Sequence, residues 1–305
     1  MKYTKNDVLA YVNEEDVKFI RLVFCDLNGN QKNISIMPNE LSKAFDEGFK
    51  IDSTSISGYE KAKKITLYPD PNTISLLPWR PSQGRVIRMF CDISANDLLS
   101  PRKELKNTVE ETGLDNIHFF QRFEFYAFKL DDEGNNTKIP YDKASLMDIA
   151  PLDKGEKIRR DICLNLLEME IETCGSFHAI GPGQNAICLS PTTALNAAEN
   201  SITFESVTKT MAAMNGLEAD FSSSPIENEA PSIQVIGISN PGEKTIEYYN
   251  NLKAGFETIR KYLTNQSASF ENTVECEGNI TIKGIAYSSN FYMLYSDILK
   301  TISGK

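Results

Sequence analysis

The sequence predicts a two-domain protein of the mixed α/β (α+β) class. Three observations support this prediction: the chain has 305 residues, short strands with one short helix fill its first third, and longer helices with a strongly apolar strand follow. A chain of this length can bury one large or two smaller cores. We therefore predict a small domain over residues 15–97 and a larger domain over residues 98–305.

The first predicted domain is a small sheet carrying one helix. Residues 17–27 (VKFIRLVFCDL) predict a strand, and the Asn28-Gly29 pair that follows is a strong hairpin signal. Residues 38–48 (PNELSKAFDEG) predict a short helix that ends at Gly48. The other predicted strands of this sheet are 32–38 (KNISIMP), 73–79 (TISLLPW) and 85–93 (RVIRMFCDI).

The second predicted domain opens with a helix and a long apolar strand. Ser100 is a suitable N-cap, Pro101 suits the first helical position, and Gly113 ends the helix. Residues 117–128 (IHFFQRFEFYAF) then predict a strand. Because side chains alternate between the two faces of a strand, Arg122 and Glu124 are expected side by side on one face.

Three further helices are predicted in the second domain. The clearest covers 155–174 and ends at Gly175, with an apolar side formed by Ile158, Ile162, Leu166 and Met169. The other two predicted helices are 200–216 and 245–263.

Composition excludes several classes of function. A net charge of −10 argues against a generic nucleic-acid binder, which needs a basic surface. No apolar run approaches the length of a membrane span, and the N-terminus lacks the apolar core of a signal peptide. The six cysteines form no CxxC pair and there are only two histidines, which disfavours a zinc site. We predict a cytoplasmic protein that binds neither nucleic acid nor membrane.

Three segments, in order, resemble glutamine synthetases of the bacterial type: 67–93, 147–170 and 177–187 (FHAIGPGQNAI). The resemblance runs from about residue 15 to about residue 265. It implies a β-grasp N-terminal domain followed by a larger catalytic-type domain with a curved antiparallel sheet, shortened at its C-terminal end. Residues 266–305 have no counterpart, and the sequence assigns them no role.

The resemblance also implies a chemistry that can be checked residue by residue. The family uses ATP to phosphorylate the side-chain carboxylate of glutamate, and ammonia then displaces the phosphate. Divalent metals neutralise the phosphate charge, and carboxylates with one imidazole hold those metals. The family's Glu-Pro-Glu strand reads Arg122-Phe123-Glu124 here, so Arg122 replaces the first metal-binding Glu and Glu124 matches the second.

Most other ligand positions are also replaced. Against the family pattern HHEVAPGQHE, the two metal-binding Glu positions are Ala179 and Ala186, whereas His178 and Gln184 match. The family loop NGSGMH, which supplies the imidazole, corresponds to 228–234 (NEAPSIQ), and one inserted residue places Gln234 at the His position.

Two regions leave alternatives open. The family loop FDGSSI reads IDSTSI here and keeps Asp52, which could retain a role in ammonium binding or simply accept a loop hydrogen bond. Glu227 and Glu229 could supply replacement acids, although loop charges are usually solvated. His178, without acidic neighbours, is expected to be a hydrogen-bonded structural residue.

Four of five checkable ligand positions are thus replaced, and one carboxylate cannot build a multi-metal cluster. The favoured interpretation is a homologue that has lost ligase chemistry and acts as a regulatory or interaction protein in nitrogen metabolism, with no cofactor. Two alternatives are an ATP-dependent carboxylate–amine ligase with a reorganised site, which would need ATP with Mg or Mn, and an amino-acid or nucleotide sensor. We expect self-association or association with a glutamine synthetase paralogue.

Overall fold

The computed structural model describes residues 3–80, 83–95, 98–223, 225–239, 242–263, 273–276, 279–284, 288 and 290–304. Contacts divide the chain into two compact units, one of Met1–Asn107 with Glu168–Glu170 and one of Thr108–Leu167 with Ile171–Lys305. Each unit contains its own sheet, so the predicted mixed α/β class is confirmed. Among the described residues, no helix is both long enough and apolar enough to cross a bilayer.

The first unit is built around one sheet with strand order β2-β1-β6-β4-β3, in which β5 also pairs with β6. The central pair β1 and β6 is parallel, and the other pairs are antiparallel. Its elements are α1 (Lys5–Glu14), β1 (Val17–Cys25), β2 (Gln31–Ile36), α2 (Leu41–Glu47), β3 (Phe49–Asp52), β4 (Lys64–Pro69), β5 (Ser75–Leu76) and β6 (Arg85–Ser94).

Local sequence explains the turns of this sheet. The Asp26 carboxylate accepts the backbone N–H groups of Asn28 and Asn30 at 3.0 and 2.9 Å, which shapes the predicted hairpin. Helix α2 ends where predicted, because Gly48 adopts a φ of +73°. A Cβ at Gly48 would also lie 2.3 Å from Thr66, so this position needs glycine for two independent reasons.

The prediction for 73–79 was too long, and three elements were missed. Only Ser75–Leu76 forms a strand there, because Pro78 cannot donate to a ladder. The missed elements are α1, β3 and β4. Helix α1 carries a reciprocal capping box between Thr4 and Asp7, a signal that the sequence did contain.

The second unit is built around an antiparallel sheet with order β13-β14-β12-β7-β10-β9, and both β8 and β11 also pair with β7. Helix α3 (Pro101–Thr112) precedes it. The other elements are β7 (His118–Leu130), β8 (Asn136–Pro140), α4 (Glu156–Glu168), β9 (Thr173–His178), β10 (Gln184–Thr193), α5 (Ala194–Met214), β11 (Leu217–Asp220), β12 (Gln234–Ser239), α6 (Thr245–Arg260), β13 (Thr273–Cys276), β14 (Ile280–Gly284) and α7 (Phe291–Ser303).

One face of β7 packs against helices. Phe123 stacks on Phe204 of α5 with ring centroids 4.6 Å apart. The Gln121 side chain donates to the Ala197 carbonyl of α5 at 3.0 Å and to the Tyr295 hydroxyl of α7 at 2.7 Å. The core therefore takes the odd-numbered positions of β7, and the even-numbered positions, which include Arg122 and Glu124, lie on the other face.

Helix α4 ends earlier than predicted. It stops at Glu168, Glu170 adopts a φ of +61°, and Gly175 lies inside strand β9 opposite Cys188. Gly175 is therefore a strand residue and not a helix stop. The conformation of Gly175 is decided by the pairing of β9 with β10. Because that pairing joins separate segments of the chain, the local helix-stop signal could not reveal it.

The C-terminal segment that lacked a counterpart in the sequence joins the second unit. Strand β14 pairs with β12 from Gln234↔Gly284 to Ile238↔Ile280. Helix α7 is largely buried, and its N-cap residue is Asn290, whose side chain accepts the Met293 N–H. The described part of 266–305 is thus integral to the sheet and to its helical cover.

Candidate functional site

Strand register brings the predicted ligand positions to one face of the second sheet. Glu124 of β7 lies opposite Ala186 of β10, and Ala186 lies opposite Phe177 of β9. The Ala179 N–H donates to the Gln184 carbonyl at 2.8 Å, which continues the same register beyond β9. Directly opposed residues of antiparallel strands share a face. Arg122, Glu124, Ala179, Gln184 and Ala186 therefore share one face, which we call the Glu124 face.

The assignment of Gln234 to the ligand site is wrong, because Gln234 lies opposite Phe123 and so belongs to the core face. Its side-chain oxygen accepts the Ser288 N–H at 3.2 Å, and the residue is fully buried. On the β12 side of β7, the residue opposite Glu124 is Ile233, whose carbonyl accepts the Glu124 N–H at 2.8 Å. An ungapped match of NEAPSI to NGSGMH also places Ile233 at the imidazole position, so the inserted residue is unnecessary.

Glu124 is held by two neighbours. Its carboxylate lies 3.2 Å from the Nε of Arg122, and the Gln184 amide donates to its other oxygen at 3.2 Å. Gln184 is itself fixed, because it also donates to the Pro231 carbonyl and accepts the Gly181 N–H. The Glu124 side chain is 10% exposed and that of Arg122 is 34% exposed. The predicted pairing of Arg122 with Glu124 is confirmed.

A second cation that the sequence did not indicate lies on the same face. Val235 of β12 is opposite both Arg122 of β7 and Lys283 of β14, so the three side chains form a row across three strands. Burial raises the pKa of Glu124, and the positive charges of Arg122 and Lys283 limit that rise. This row therefore places two cations, Arg122 and Lys283, near one acid, Glu124.

These residues do not fit the divalent metals of the resembled family. The positions of two ligand acids are buried methyl groups, with Ala179 2% and Ala186 0% exposed, and Ile233 has no donor atom. The guanidinium of Arg122 would repel a divalent cation at Glu124. Glu227 and Glu229 are exposed on the preceding loop. Carboxylate-rich shells are what Mg²⁺ and Mn²⁺ require, and among the ligand positions 122, 124, 179, 186 and 233 only Glu124 carries a carboxylate, which already has partners.

His178 lies on the other face, opposite Asn185. Its Nε2 is 2.9 Å from the Asp142 carboxylate and its Nδ1 is 2.8 Å from the Ala179 carbonyl. Both partners are acceptors, so the imidazolium form, which carries a proton on each ring nitrogen, satisfies both contacts. Burial opposes this charge, but the Asp142 and Ala179 hydrogen bonds raise the pKa of His178. His178 is a hydrogen-bonded structural residue.

Asp142, Asp153 and His178 are close enough to suggest a metal site. Their atoms are already committed to other partners. Asp142 accepts the Gly183 N–H at 2.9 Å besides His178, and Asp153 is paired with the buried Arg159. A doubly protonated ring has no lone pair for a metal. This cluster is therefore a buried hydrogen-bonded network. The isolated positions of Asp142, Asp153 and Arg159 gave no signal in the sequence.

Asp52 lies in the first unit at the end of β3. Its carboxylate accepts the Thr54 N–H at 2.9 Å and also the Thr54 hydroxyl, and these bonds lower its pKa. The exposed side chain thus shapes its own loop, which is the simpler of the two roles that the sequence left open.

Comparisons with known proteins find that this chain is similar to glutamine synthetases. The family model described as "Glutamine synthetase, beta-Grasp domain" matches residues 16–96, and "Glutamine synthetase, catalytic domain" matches residues 98–239. A glutamine synthetase of Clostridium saccharobutylicum is 38% identical over 234 residues, covering 74% of this chain and 53% of the relative. One from Staphylococcus aureus is 34% identical over 233 residues, covering 73% and 52% respectively.

The fold match extends further than the sequence match. The cryo-EM structure of Plasmodium falciparum glutamine synthetase has a TM-score of 0.82 at 16% identity, and it covers 99% of this chain and 75% of that chain. The chain spans about half the length of the curated relatives it matches. With both family models matched in order over most of its length, this chain belongs to the glutamine synthetase family.

Proposed function

We propose that this chain is a non-catalytic member of the glutamine synthetase family that acts as a regulatory or interaction protein in nitrogen metabolism. One observation supports this most strongly: of the family's ligand positions on this face, only that of Glu124 carries a carboxylate, and it is already held by Arg122 and Gln184. The family normally uses ATP with divalent metals, and these residues supply too few oxygen ligands to hold them.

Loss of the metals would remove the charge compensation on which phosphoryl transfer depends. No side chain at these positions could take that role. Arg122 can neutralise an anion, but its near partner is Glu124, and Ala179 and Ala186 offer only methyl groups. Metal ions contribute several kcal/mol of transition-state stabilisation in such reactions. We therefore expect a rate at least about a thousandfold below that of an active family enzyme.

A hydroxamate assay tests this expectation. The purified chain would be given glutamate, ATP, hydroxylamine and either Mg²⁺ or Mn²⁺, with an active glutamine synthetase as the positive control. The proposal predicts no γ-glutamyl hydroxamate above the background of a chain carrying Glu124→Gln. A rate within tenfold of the active enzyme that is lost in Glu124→Gln would establish the alternative, a ligase with a reorganised site.

An exposed apolar patch supports an interaction role. Its members are Leu146 (50% exposed), Met147 (66%), Ile149 (78%), Leu152 (62%) and Ile180 (62%). The Met147 N–H donates to the His178 carbonyl, which brings the 146–152 segment beside the strand that leads to Ile180. Contiguous exposed apolar patches of this kind mark interaction sites. We propose that it mediates self-association, with a family paralogue as the other candidate partner.

Light scattering tests the patch with a matched control. Ile149→Asp should reduce the measured mass of the assembly, whereas Ile246→Asp, at a residue 72% exposed on α6, should leave the mass unchanged. A parent chain that is monomeric at high concentration would reject self-association. Co-purification with an active family enzyme that Ile149→Asp abolishes would instead identify the paralogue as the partner.

A further inference from the structure

Two cysteines lie side by side on neighbouring strands of the second sheet. Cys188 of β10 is opposite Gly175 of β9, while the next residue, Leu189, is opposite Thr173. Cys174 is therefore the extra residue of a β-bulge, placed across from Cys188. Both cysteines are free. Opposed residues of adjacent antiparallel strands have Cα atoms about 4.5–5.5 Å apart, which lies within the Cα separation that a disulfide spans.

The pair is accessible to small reagents from one side. Cys174 is exposed, and Cys188 is half-buried beneath it. Burial raises the pKa of Cys188, so this thiol stays protonated near neutral pH and Cys174 is the one that an oxidant reaches first. Among the other described cysteines, Cys25 and Cys91 are buried in the first unit, and Cys163 of α4 is half-buried.

We propose that Cys174 and Cys188 are a redox-modification site at which a peroxide or a small disulfide drives formation of a reversible cross-strand disulfide. With hydrogen peroxide, the Cys174 thiolate attacks one oxygen and displaces hydroxide, which leaves a sulfenic acid on Cys174. The Cys188 sulfur then attacks the Cys174 sulfur and expels water. In total two thiols and one hydrogen peroxide give one disulfide and two waters.

The disulfide would act directly on the Glu124 face. Cys188 lies opposite Arg122 on β7, at one end of the row that contains Lys283. The short segment between the two cysteines contains Ala179, Gln184 and Ala186. A disulfide that closes this segment would restrain the β9–β10 hairpin, which holds Gln184 against Glu124. Neither cysteine is one of the family's ligand positions. The inference therefore does not depend on the proposed loss of ligase chemistry.

The test uses the full chain, first reduced and then exposed to hydrogen peroxide or, in parallel, to oxidised glutathione. Digestion with chymotrypsin, which cleaves after Phe177 between the two cysteines, allows mass spectrometry to identify a cross-linked peptide pair. We expect a Cys174–Cys188 cross-link, a loss of two free thiols per chain, and full reversal by dithiothreitol. Closing a short loop should also raise the Tm of the oxidised chain by a few degrees.

Single substitutions provide the controls. Cys174→Ser and Cys188→Ser should each abolish the cross-link and the Tm difference between reduced and oxidised protein. Cys163→Ser should leave both unchanged. The inference is overturned if Cys174 ends as a sulfinic or sulfonic acid or as a stable mixed disulfide while Cys188 stays reduced. It is also overturned if either cysteine pairs with another cysteine, or if the thiol count does not fall.

Discussion

Replacing Arg122 by alanine should destabilise the second unit through the carboxylate that it leaves behind. Glu124 is 10% exposed, and its neighbours in the folded state are Arg122 at 3.2 Å and the Gln184 amide at 3.2 Å. Removing one partner of a buried acid costs ~1–3 kcal/mol. Because the Arg122 side chain is 34% exposed and solvent screens part of its charge, we expect the lower end, about 1 kcal/mol at pH 7.

The stability that Arg122→Ala loses should depend on pH in a definite direction. Burial already raises the pKa of Glu124 above that of the unfolded chain, and removing Arg122 raises it further. An acid whose folded pKa is raised adds stability below its unfolded pKa, near 4.5, and this contribution is lost as pH rises through the folded pKa. The cost of Arg122→Ala should therefore be small at pH 4 and larger at pH 7.

Urea unfolding of a double-mutant cycle separates this mechanism from simple loss of packing. Glu124→Gln keeps the shape of the side chain and removes its charge, so Arg122→Ala should cost much less in the Glu124→Gln background than in the parent. An equal cost in both backgrounds would show that Arg122 acts through packing alone. No cost in either background would show that Arg122 extends freely into solvent.

Three further outcomes follow from the structure. The Asp142–His178 pair should support the fold best at mildly acidic pH, because hydrogen bonding lowers the pKa of Asp142 to about 2 and raises that of His178. The stabilisation from this pair should fade as pH drops through 2 or rises through the folded pKa of His178. Unfolding measured from pH 2 to 9 should show that His178→Gln lowers the free energy of unfolding by ~1–3 kcal/mol, with the largest loss between those limits. Ala186→Glu should lower the Tm steeply, because it places a second carboxylate in a fully buried position opposite Glu124, and an unchanged Tm would contradict that geometry. Gly48→Ala should lower the free energy of unfolding by clearly more than the ~1 kcal/mol expected for Gly113→Ala. Both glycines have positive φ, but of the two only Gly48 has other atoms where the added Cβ would lie. Equal losses of the two variants in denaturant unfolding would contradict the clash.

Sequence patterns predicted what depends on local chemistry. The Asn28-Gly29 turn, the Ser100 cap and the even–odd alternation that sets Arg122 beside Glu124 all follow from short-range rules, and all are confirmed. The family resemblance identified the first domain as a β-grasp and the second as a catalytic-type domain with a curved sheet, which no local rule could give.

Features that depend on pairing between distant segments were not predictable. Gln234 and Ile233 differ by one position in the sequence, but a shift of one residue moves a side chain to the opposite face of the sheet. Lys283 reaches the Glu124 face because β14 pairs with β12 at a particular register. The position of Cys174 across from Cys188 depends on a bulge that neither residue's neighbours signal.

A calorimetric titration with ATP, in the presence and absence of Mn²⁺, tests most directly whether the Glu124 face has lost its metal centre. Because Glu124 is the one carboxylate among the described ligand positions, we predict that adding Mn²⁺ neither creates nor strengthens ATP binding, and that Glu124→Gln behaves as the parent does. Weak binding of Mn²⁺ to surface acids would be unaffected by Glu124→Gln. A saturable, Mn²⁺-dependent ATP site that Glu124→Gln abolishes would contradict the account, because it would show that Glu124 still holds a catalytic-type metal.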